Sequence, residues 1–451
     1  MNCEMRIGVH RFLAFILLLL TFCLKMLGCT VVVVAGSATD DGRPLLFKNR
    51  DSSNAYMVEM RIEQNSGFKF IAQYVIGNIY FEGPWGGFNE KGFCIANSIS
   101  YNYSGATYAE LNSVVLSKAL AECETTDDFE KLIDGIEKPM DIRANYGVID
   151  THGHAAFYEI GPNGYTKYDA NETPDGILIR TNFSYAGDTD KKVGEDRLAA
   201  AHGFMDDAKL YEQVNARHIL QKLPRYLVKG DGTSLYDSAP ATWDDEVKTD
   251  FEGFIPRYSS SNAMLIKGVK TDEDATLTLC WTMVGPPVAT ATIPLFLTHG
   301  NILPEKSTAT DGEAWLCRMG QDLKTVLFPY KEEESKFIDL SKLYNGEETG
   351  IMQRIVRIEN EIISQSSGMI EDAYTERSLS EDTLKDYYAW LDNYLEEQYK
   401  ANFGDIITSI VPHQDKNHQD VRMWDISGRR IDHYSNYRGI VVTKHGKYLR
   451  K

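Results

Sequence analysis

The sequence predicts an α+β protein in which two groups of short strands are separated by a pair of helices. Two observations lead to this class. β-Branched or apolar runs bounded by turn residues recur through residues 30–99 and again through 146–180. Between these groups, residues 109–124 and 126–137 carry apolar side chains at helical spacing. Strands that flank a helical pair suit sheets covered by layers of helices.

The same patterns predict the individual elements in order. Residues 30–35 and 44–50 form a hairpin about the turn 39–42, so the end of the second strand returns close to Cys29. The glycine-rich stretch 83–92 is predicted to be a turn. Further strands are predicted at 57–63, 69–76, 93–99, 146–150, 155–159, 176–180, 259–266 and 276–283. Further helices are predicted at 195–207, 210–223, 351–366 and 380–403.

The N-terminus has the features of an export signal. Arg6 and Arg11 precede an apolar run from Phe12 to Cys23, which is too short for a membrane span and fits the core of a signal peptide. No other stretch approaches the roughly 18 apolar residues that a spanning helix needs. We therefore predict a protein exported to the periplasm, the cell surface or the extracellular space, without a transmembrane span after residues 1–28 are removed.

Composition argues against several classes of partner and site. The chain has 451 residues, 43% of them hydrophobic, and a net charge of −18, which argues against nucleic acid as a partner. Its seven cysteines show no Cys-x-x-Cys or histidine-rich spacing, so neither a disulfide framework nor a metal site is expected, and no cofactor is implied. Cys94, Cys123, Cys280 and Cys317 are expected to be buried free thiols.

Cys29 stands where the export segment ends and a β-branched strand begins. Once residues 1–28 are removed, this one residue carries both a thiol and a free α-amine. The reference pKa of an α-amine is about 7.7–8.0, so the amine can accept the thiol proton near neutral pH without a separate histidine. The alternative is a lipoprotein acceptor cysteine. A lipobox prefers leucine three residues before the cysteine, where this chain has Met26, and we favour the nucleophile.

The strand opening Cys29-Thr30 and the hairpin ending in the segment 41–51, Asp-Gly-Arg-Pro-Leu-Leu-Phe-Lys-Asn-Arg-Asp, resemble the start of cysteine N-terminal-nucleophile hydrolases. The pattern is most similar to the acyl-coenzyme A:isopenicillin-N acyltransferase/carcinine hydrolase group, with bile-salt hydrolases, penicillin V acylases and cysteine dipeptidases as more distant relatives. Gly285-Pro286-Pro287 after a strand pair extends the resemblance to about residue 300. The resemblance implies a four-layer αββα sandwich of two mainly antiparallel sheets.

The resemblance also assigns roles to residues around Cys29. Asp51 matches the aspartate beside the nucleophile's amine, and Asn182 matches an asparagine whose amide helps to form the oxyanion hole. Arg197 resembles an arginine that braces the catalytic aspartate or thiol. Asn97 is a second candidate for the oxyanion hole. Where bile-salt hydrolases have an arginine, this chain has Lys48, which keeps the charge but loses the bidentate fork.

We therefore predict an exported hydrolase or acyltransferase that cleaves a linear amide C–N bond through a thioester on Cys29, with a small amide or a short peptide as substrate. A cysteine dipeptidase and a non-enzymatic, lipid-anchored surface protein are the alternatives. The predicted organisation is a signal peptide (1–28), a catalytic αββα domain (29–330), a helical extension (331–404) and a basic β tail (405–451). The tail resembles those of Bacteroidetes secreted proteins, which suggests a bacterial origin and a sorting role.

Overall fold

A computed structural model describes residues 28–52, 57–64, 67–76, 83–104, 111–330, 335–409, 424–425, 439–443 and 446–450. The predicted signal peptide, apart from Gly28, lies outside the described residues, as does most of the charged segment 331–336. The chain divides into a first compact unit that ends at Phe403 and a second that covers Gly404–Lys451. Among the described residues, no helix has the length and apolar character that a membrane span requires.

The first sheet has six strands, and every neighbouring pair is antiparallel. Its strand order is β10-β1-β2-β12-β13-β14. The runs of valine, leucine and isoleucine in its central strands are buried on both faces, which explains why they lack polar alternation. The bounds are β1 (Cys29–Val34), β2 (Leu45–Asp51), β10 (Ile177–Arg180), β12 (Ser260–Lys267), β13 (Leu279–Met283) and β14 (Ile293–Phe296).

The second sheet has seven strands in sequential order, β3 to β9, and is antiparallel throughout. It packs face to face with the first sheet, since a Cβ atom on Gly147 would lie 2.9 Å from the side chains of both Val33 and Leu46. The bounds are β3 (Val58–Glu63), β4 (Phe70–Val75), β5 (Gly86–Asn89), β6 (Cys94–Ile99), β7 (Ala144–Ile149), β8 (Ala155–Gly161) and β9 (Gly164–Asp169).

Helices cover both outer faces, so the fold is the expected four-layer αββα sandwich. Helices α1 (Leu111–Glu122) and α2 (Thr126–Asp134) share one apolar cluster with the second sheet. Helices α3 (Glu195–Leu210) and α4 (Ala216–Lys222) lie on the first sheet. The remaining helices are α5 (Trp315–Leu327), the short α6 (Leu340–Leu343), α7 (Ile351–Glu376) and α8 (Glu381–Ser409).

The long C-terminal helices are joined to the first sheet by buried polar contacts. Glu359 of α7 receives two hydrogen bonds from the guanidinium of Arg225, at 2.6 and 2.8 Å, and both side chains are almost fully buried. On α8, the hydroxyl of Tyr388 accepts from the N–H of Phe296 at 3.2 Å. The smaller strands are β11 (Lys248–Asp250), β15 (Ala309–Thr310), β16 (Glu313–Ala314), β17 (Phe337–Asp339), β18 (Trp424–Asp425), β19 (Gly439–Thr443) and β20 (Gly446–Arg450).

The glycine-rich stretch 83–92 was wrongly predicted as a turn, because it contains strand β5. The glycines allow close strand packing: a Cβ atom on Gly87 would lie 2.2 Å from the carbonyl oxygen of Ile71. The predicted helix 210–223 begins only at Ala216, where the side chain of Asn215 caps the N–H of His218 at 2.8 Å. Strands β9 and β14 and helix α5 were not predicted.

Candidate active site

Strand β1 carries Cys29 as its first residue, between β10 and β2 in the first sheet. Cys29 lies opposite Arg50, so the hairpin brings the end of β2 back to Cys29 as the sequence predicted. Directly opposed residues share a face of the sheet, and Lys48, opposite Val31, therefore lies on the same face as Cys29. That face is turned toward the second sheet, and Cys29 is only 9% exposed.

Asn182 and Arg197 hold the main chain of Cys29 from two sides. The N–H of Cys29 donates to Oδ1 of Asn182 at 2.7 Å. Arg197 donates through Nη1 to the carbonyl oxygen of Cys29 at 2.6 Å and through Nη2 to Oδ1 of Asn182 at 2.8 Å. The three residues thus form a closed, buried triangle of hydrogen bonds.

Helix α3 supplies Arg197 near its N-terminus, and the side chain is 1% exposed. Nη1 also donates to the hydroxyl of Thr30 at 3.1 Å. Burial, with a further contribution from the nearby charge of Arg257, lowers the pKa of Arg197 to about 10. The guanidinium therefore stays charged at neutral pH and fixes the position of Cys29.

The contacts of Asn182 differ from the oxyanion role that the resemblance implied. Its Oδ1 accepts from two groups that can only donate, the N–H of Cys29 and the guanidinium of Arg197. Its Nδ2 donates to the carbonyl oxygen of Ile99 at 2.9 Å. These three partners fix the orientation of the amide, so the oxygen of Asn182, and not its nitrogen, faces Cys29.

Gly28, the last residue of the predicted signal segment, passes between two guanidinium groups. A Cβ atom at this position would lie 1.7 Å from Nη2 of Arg257 and 2.7 Å from Nη2 of Arg197. A side chain would have to displace both arginines. The peptide bond before Cys29 is thus positioned by the same cationic groups that surround Cys29.

Asp51 ends strand β2 and is held by several donors. Its Oδ2 accepts from Nε of Arg257 at 2.6 Å, and its Oδ1 accepts from the hydroxyl of Ser260 at 2.7 Å. Nδ2 of Asn49 adds a third hydrogen bond at 3.2 Å. Asp51 also acts electrostatically on Arg197. The carboxylate therefore balances part of the positive charge around Cys29.

Lys48 and Asn97 meet in the space between the sheets. Nζ of Lys48 donates to the carbonyl oxygen of Trp85 and to Oδ1 of Asn97, the latter at 3.0 Å. Burial lowers the pKa of Lys48 to about 7, Cys29 opposes this shift and Arg50 adds to it. Because Oδ1 of Asn97 faces an ammonium, its Nδ2 points the other way, and it has no hydrogen-bond partner among the described residues. A buried amide donor therefore lies on a strand that packs against β1.

The structure thus brings Cys29, Asp51, Asn182 and Arg197, with Lys48 and Asn97, to one end of the first sheet. Sequence reasoning missed Arg257, which pairs with Asp51 and contacts Gly28. A signal was present: the strand predicted at 259–266 pairs with β2 in antiparallel register, and Ser260 lies opposite Asp51. Residues just before that strand must therefore lie beside Asp51.

Four other cysteines, Cys94, Cys123, Cys280 and Cys317, are free and buried, as predicted. Burial raises the pKa of Cys123 and of Cys317 to about 12, and it raises the pKa values of the other two as well. These thiols are therefore poor nucleophiles at neutral pH. Among the described residues, no group of three or more histidine, cysteine, aspartate or glutamate side chains converges to hold a metal ion.

One protein-family model matches a large part of the chain that carries several of the site residues. Residues 37–225 match the model of the acyl-coenzyme A:6-aminopenicillanic acid acyl-transferase family. The match begins after Cys29 and includes Asp51, Asn97 and Asn182. No curated protein matches the chain.

Three solved structures illustrate the structural likeness. An N-acylethanolamine-hydrolyzing acid amidase ortholog from Caenorhabditis elegans is 15% identical, with a TM-score of 0.31 over 42% of this chain and 86% of that one. A conjugated bile acid hydrolase variant from Clostridium perfringens is 11% identical, with a TM-score of 0.35 over 61% and 93%. Penicillin V acylase from Agrobacterium tumefaciens is 9% identical, with a TM-score of 0.31 over 60% and 86%. These values carry no inference about substrate.

Proposed function

We infer that Cys29 becomes the first residue after export and cleaves a linear amide through a thioester. The premise is that the chain belongs to the N-terminal-nucleophile group of hydrolases and acyltransferases. The observation that carries this proposal is the buried triangle of Cys29, Asn182 and Arg197. It fixes the backbone N and O of Cys29 at the end of a central strand, next to a glycine that separates two guanidinium groups.

The first chemical step is attack by Sγ of Cys29 on the amide carbonyl carbon. The thiol proton passes to the α-amine of the same residue. This amine donates a hydrogen bond to Oδ1 of Asn182. The positive charges of Arg197 and Arg257 favour the neutral, basic form of this amine, and Asp51 limits that effect. When the tetrahedral intermediate collapses, the C–N bond breaks and the proton is delivered to the leaving nitrogen.

The second step releases the acyl group from the thioester. Water, or another amine, attacks the thioester carbonyl and gives its proton to the α-amine. The C–S bond then breaks and the thiol is regenerated. Negative charge develops on the carbonyl oxygen in both steps. We assign its stabilisation to Nδ2 of Asn97, a buried donor without a partner among the described residues, because the same amide binds Lys48 on the face of the sheet that carries Cys29.

Burial of Cys29 also bears on the alternative of a lipid anchor. A diacylglyceryl group on Sγ would have to leave the space between two packed sheets, and acylation of the amine would disturb its hydrogen bond to Asn182. An acceptor cysteine needs neither burial nor the cluster of charged residues around it. These features favour the nucleophile.

The proposal is tested with an electrophilic β-lactone applied to the exported protein, followed by peptide mass spectrometry. We expect a single acyl adduct on Cys29, and none after Cys29→Ser replacement, because serine is a far weaker nucleophile. The four buried thiols serve as internal controls. An adduct on Cys94, Cys123, Cys280 or Cys317 with an unlabelled Cys29 would show that the proposed nucleophile is wrong.

A further inference from the structure

Lys324, on helix α5, differs from the other buried cations of the described chain. It is 8% exposed, and its ammonium makes no hydrogen bond or ion pair with the described residues, although Nζ is not one of the fully buried atoms without a partner. By contrast, each of the following buried cations donates to a defined acceptor: Arg43, Lys48, Arg50, Lys69, Arg180, Arg197 and Arg225.

An unpaired buried ammonium is costly, because burial removes its hydration without replacing it. Among the described residues, the ammonium makes its contact with an aromatic face: Nζ of Lys324 lies 4.3 Å from the ring centroid of Tyr258. Burial lowers the pKa of Lys324 to about 8, and the charges of Asp51 and Cys317 oppose this shift. The side chain is therefore mostly charged at neutral pH and has no anionic contact partner in the part of the chain that the structure describes.

The position of Lys324 connects it to the catalytic residues. Tyr258 follows Arg257, whose guanidinium binds Asp51 and abuts Gly28. The ring of Tyr258 packs edge-on against Phe328, one residue after the end of α5, with 5.2 Å between centroids. Asp51 itself is close enough to act on the pKa of Lys324. The ammonium thus lies at the same end of the first sheet as Cys29.

We propose that Lys324 and Tyr258 form a subsite for a carboxylate group on the amide substrate. This inference rests on the proposed function and deepens it by naming the substrate class: a linear amide with a carboxylate close to the scissile bond. An ammonium binds a carboxylate as a compact point charge, and the aromatic ring provides an apolar wall against which the substrate chain packs. Helix α5 and Tyr258 lie outside residues 37–225, the segment that matches the family model.

An ion pair with a substrate carboxylate would give the ammonium of Lys324 the anionic partner that it lacks among the described residues. The ammonium is already desolvated and held by the packed stem of the lysine, so little of the cost of ordering it remains when the substrate binds. Asp51 is occupied by Arg257, Ser260 and Asn49 and is not available as a contact partner.

The test compares matched substrates. On the amine side an N-acylglycine is compared with the corresponding N-acylglycinamide, and on the acyl side a glutaryl anilide with a valeryl anilide. We expect the native enzyme to prefer the carboxylate member of one pair. Lys324→Met keeps the apolar stem and removes the charge. It should lower kcat/KM for that member by about 10- to 100-fold, the range of a lost charge-assisted contact, and leave the neutral member unchanged.

Two further variants make the result specific. Lys385→Met removes a charge from an exposed position on α8 and should leave the preference intact. Lys324→Arg keeps the positive charge and should retain most of the preference. A preference that survives in Lys324→Met, or a native enzyme with no preference in either pair, would overturn the proposed subsite.

Binding measured without turnover separates this inference from the proposed function. In Cys29→Ser protein, calorimetry with the pair that shows the preference should find tighter binding of the carboxylate member than of its neutral partner, and adding Lys324→Met should abolish the difference. Turnover that persists in Cys29→Ser would refute the proposed nucleophile, yet the calorimetric difference would still support the subsite. Equal binding of charged and neutral ligands would refute the subsite alone.

Discussion

Replacing each of the two asparagines with aspartate tests which amide stabilises the transition state. Aspartate keeps the oxygen that each asparagine uses as an acceptor, puts a second acceptor oxygen in place of the donating nitrogen, and adds a negative charge that faces Lys48 at position 97 and Arg197 at position 182. In Asn97→Asp the lost group is the unpartnered Nδ2, whereas in Asn182→Asp it is the Nδ2 that donates to Ile99. If Asn97 is the oxyanion donor and Asn182 a positioning residue, the two substitutions should have unequal effects on acyl transfer.

The expected magnitudes follow from these contacts. Loss of one oxyanion donor typically costs about 2.7–4 kcal/mol, so Asn97→Asp should slow acylation of Cys29 by about 10²–10³. Asn182→Asp keeps the acceptor for Cys29 and Arg197. It loses a neutral hydrogen bond worth about 0.5–1.5 kcal/mol and sets two oxygens against each other at Ile99, on the side of the amide away from Cys29, so the cost falls mainly on folding stability. Its acylation should therefore slow by about tenfold or less.

The assay compares two reagents on the same thiol. A β-lactone reacts through a tetrahedral oxyanion, whereas iodoacetamide alkylates the thiol without forming one. The rate with β-lactone should fall in Asn97→Asp, while the rate with iodoacetamide should stay within about threefold of the native rate. The reasoning is refuted if Asn182→Asp slows the β-lactone reaction as much as Asn97→Asp does, or if both reagents slow equally in Asn97→Asp.

Three other predictions concern charge and stability. Asp51→Asn removes the charge that Arg257 contacts, so turnover should fall while circular dichroism stays native; unchanged turnover would make Asp51 a structural residue. Lys48 binds its proton less readily in the folded protein, with a pKa of about 7 against 10.5 in the unfolded chain. Its contribution to the free energy of unfolding should therefore rise from pH 7 to 10, by up to about 1.4 kcal/mol per pH unit. Lys48→Met should flatten this rise in denaturant titrations at pH 7 and 9, and an unchanged slope would contradict the assignment. Glu359→Gln leaves Arg225 buried without its anion and should cost about 3–5 kcal/mol in urea unfolding, so a loss below about 1 kcal/mol would show that the pair is dispensable.

The sequence predicted well those parts of the fold that depend on local pattern. The β-branched run after Cys29 and the turn at 39–42 were enough to predict the hairpin that places Arg50 opposite Cys29. Strand β5 was missed because its glycines are typical of a turn. Their structural role is the close approach to Ile71, a tertiary contact that local sequence does not reveal.

The site shows the same division between local and distant information. Cys29, Asp51 and Lys48 lie within one hairpin, and their proximity follows from its register. Arg257 contacts Asp51 across 206 positions of the chain, and Lys324 comes from a helix with no motif of its own. The amide orientation of Asn182 could not be predicted either, since it is set by Arg197 and by a carbonyl on another strand.

The N-terminus of the exported protein tests the central claim most directly. Intact-mass analysis with N-terminal sequencing should find a chain that begins at Cys29 with an unmodified thiol and a free α-amine, because both groups take part in the proposed chemistry. A chain that retains Gly28, or a Cys29 that carries a diacylglyceryl group, would contradict the account, since the amine that serves as the base would then be absent or the nucleophile consumed.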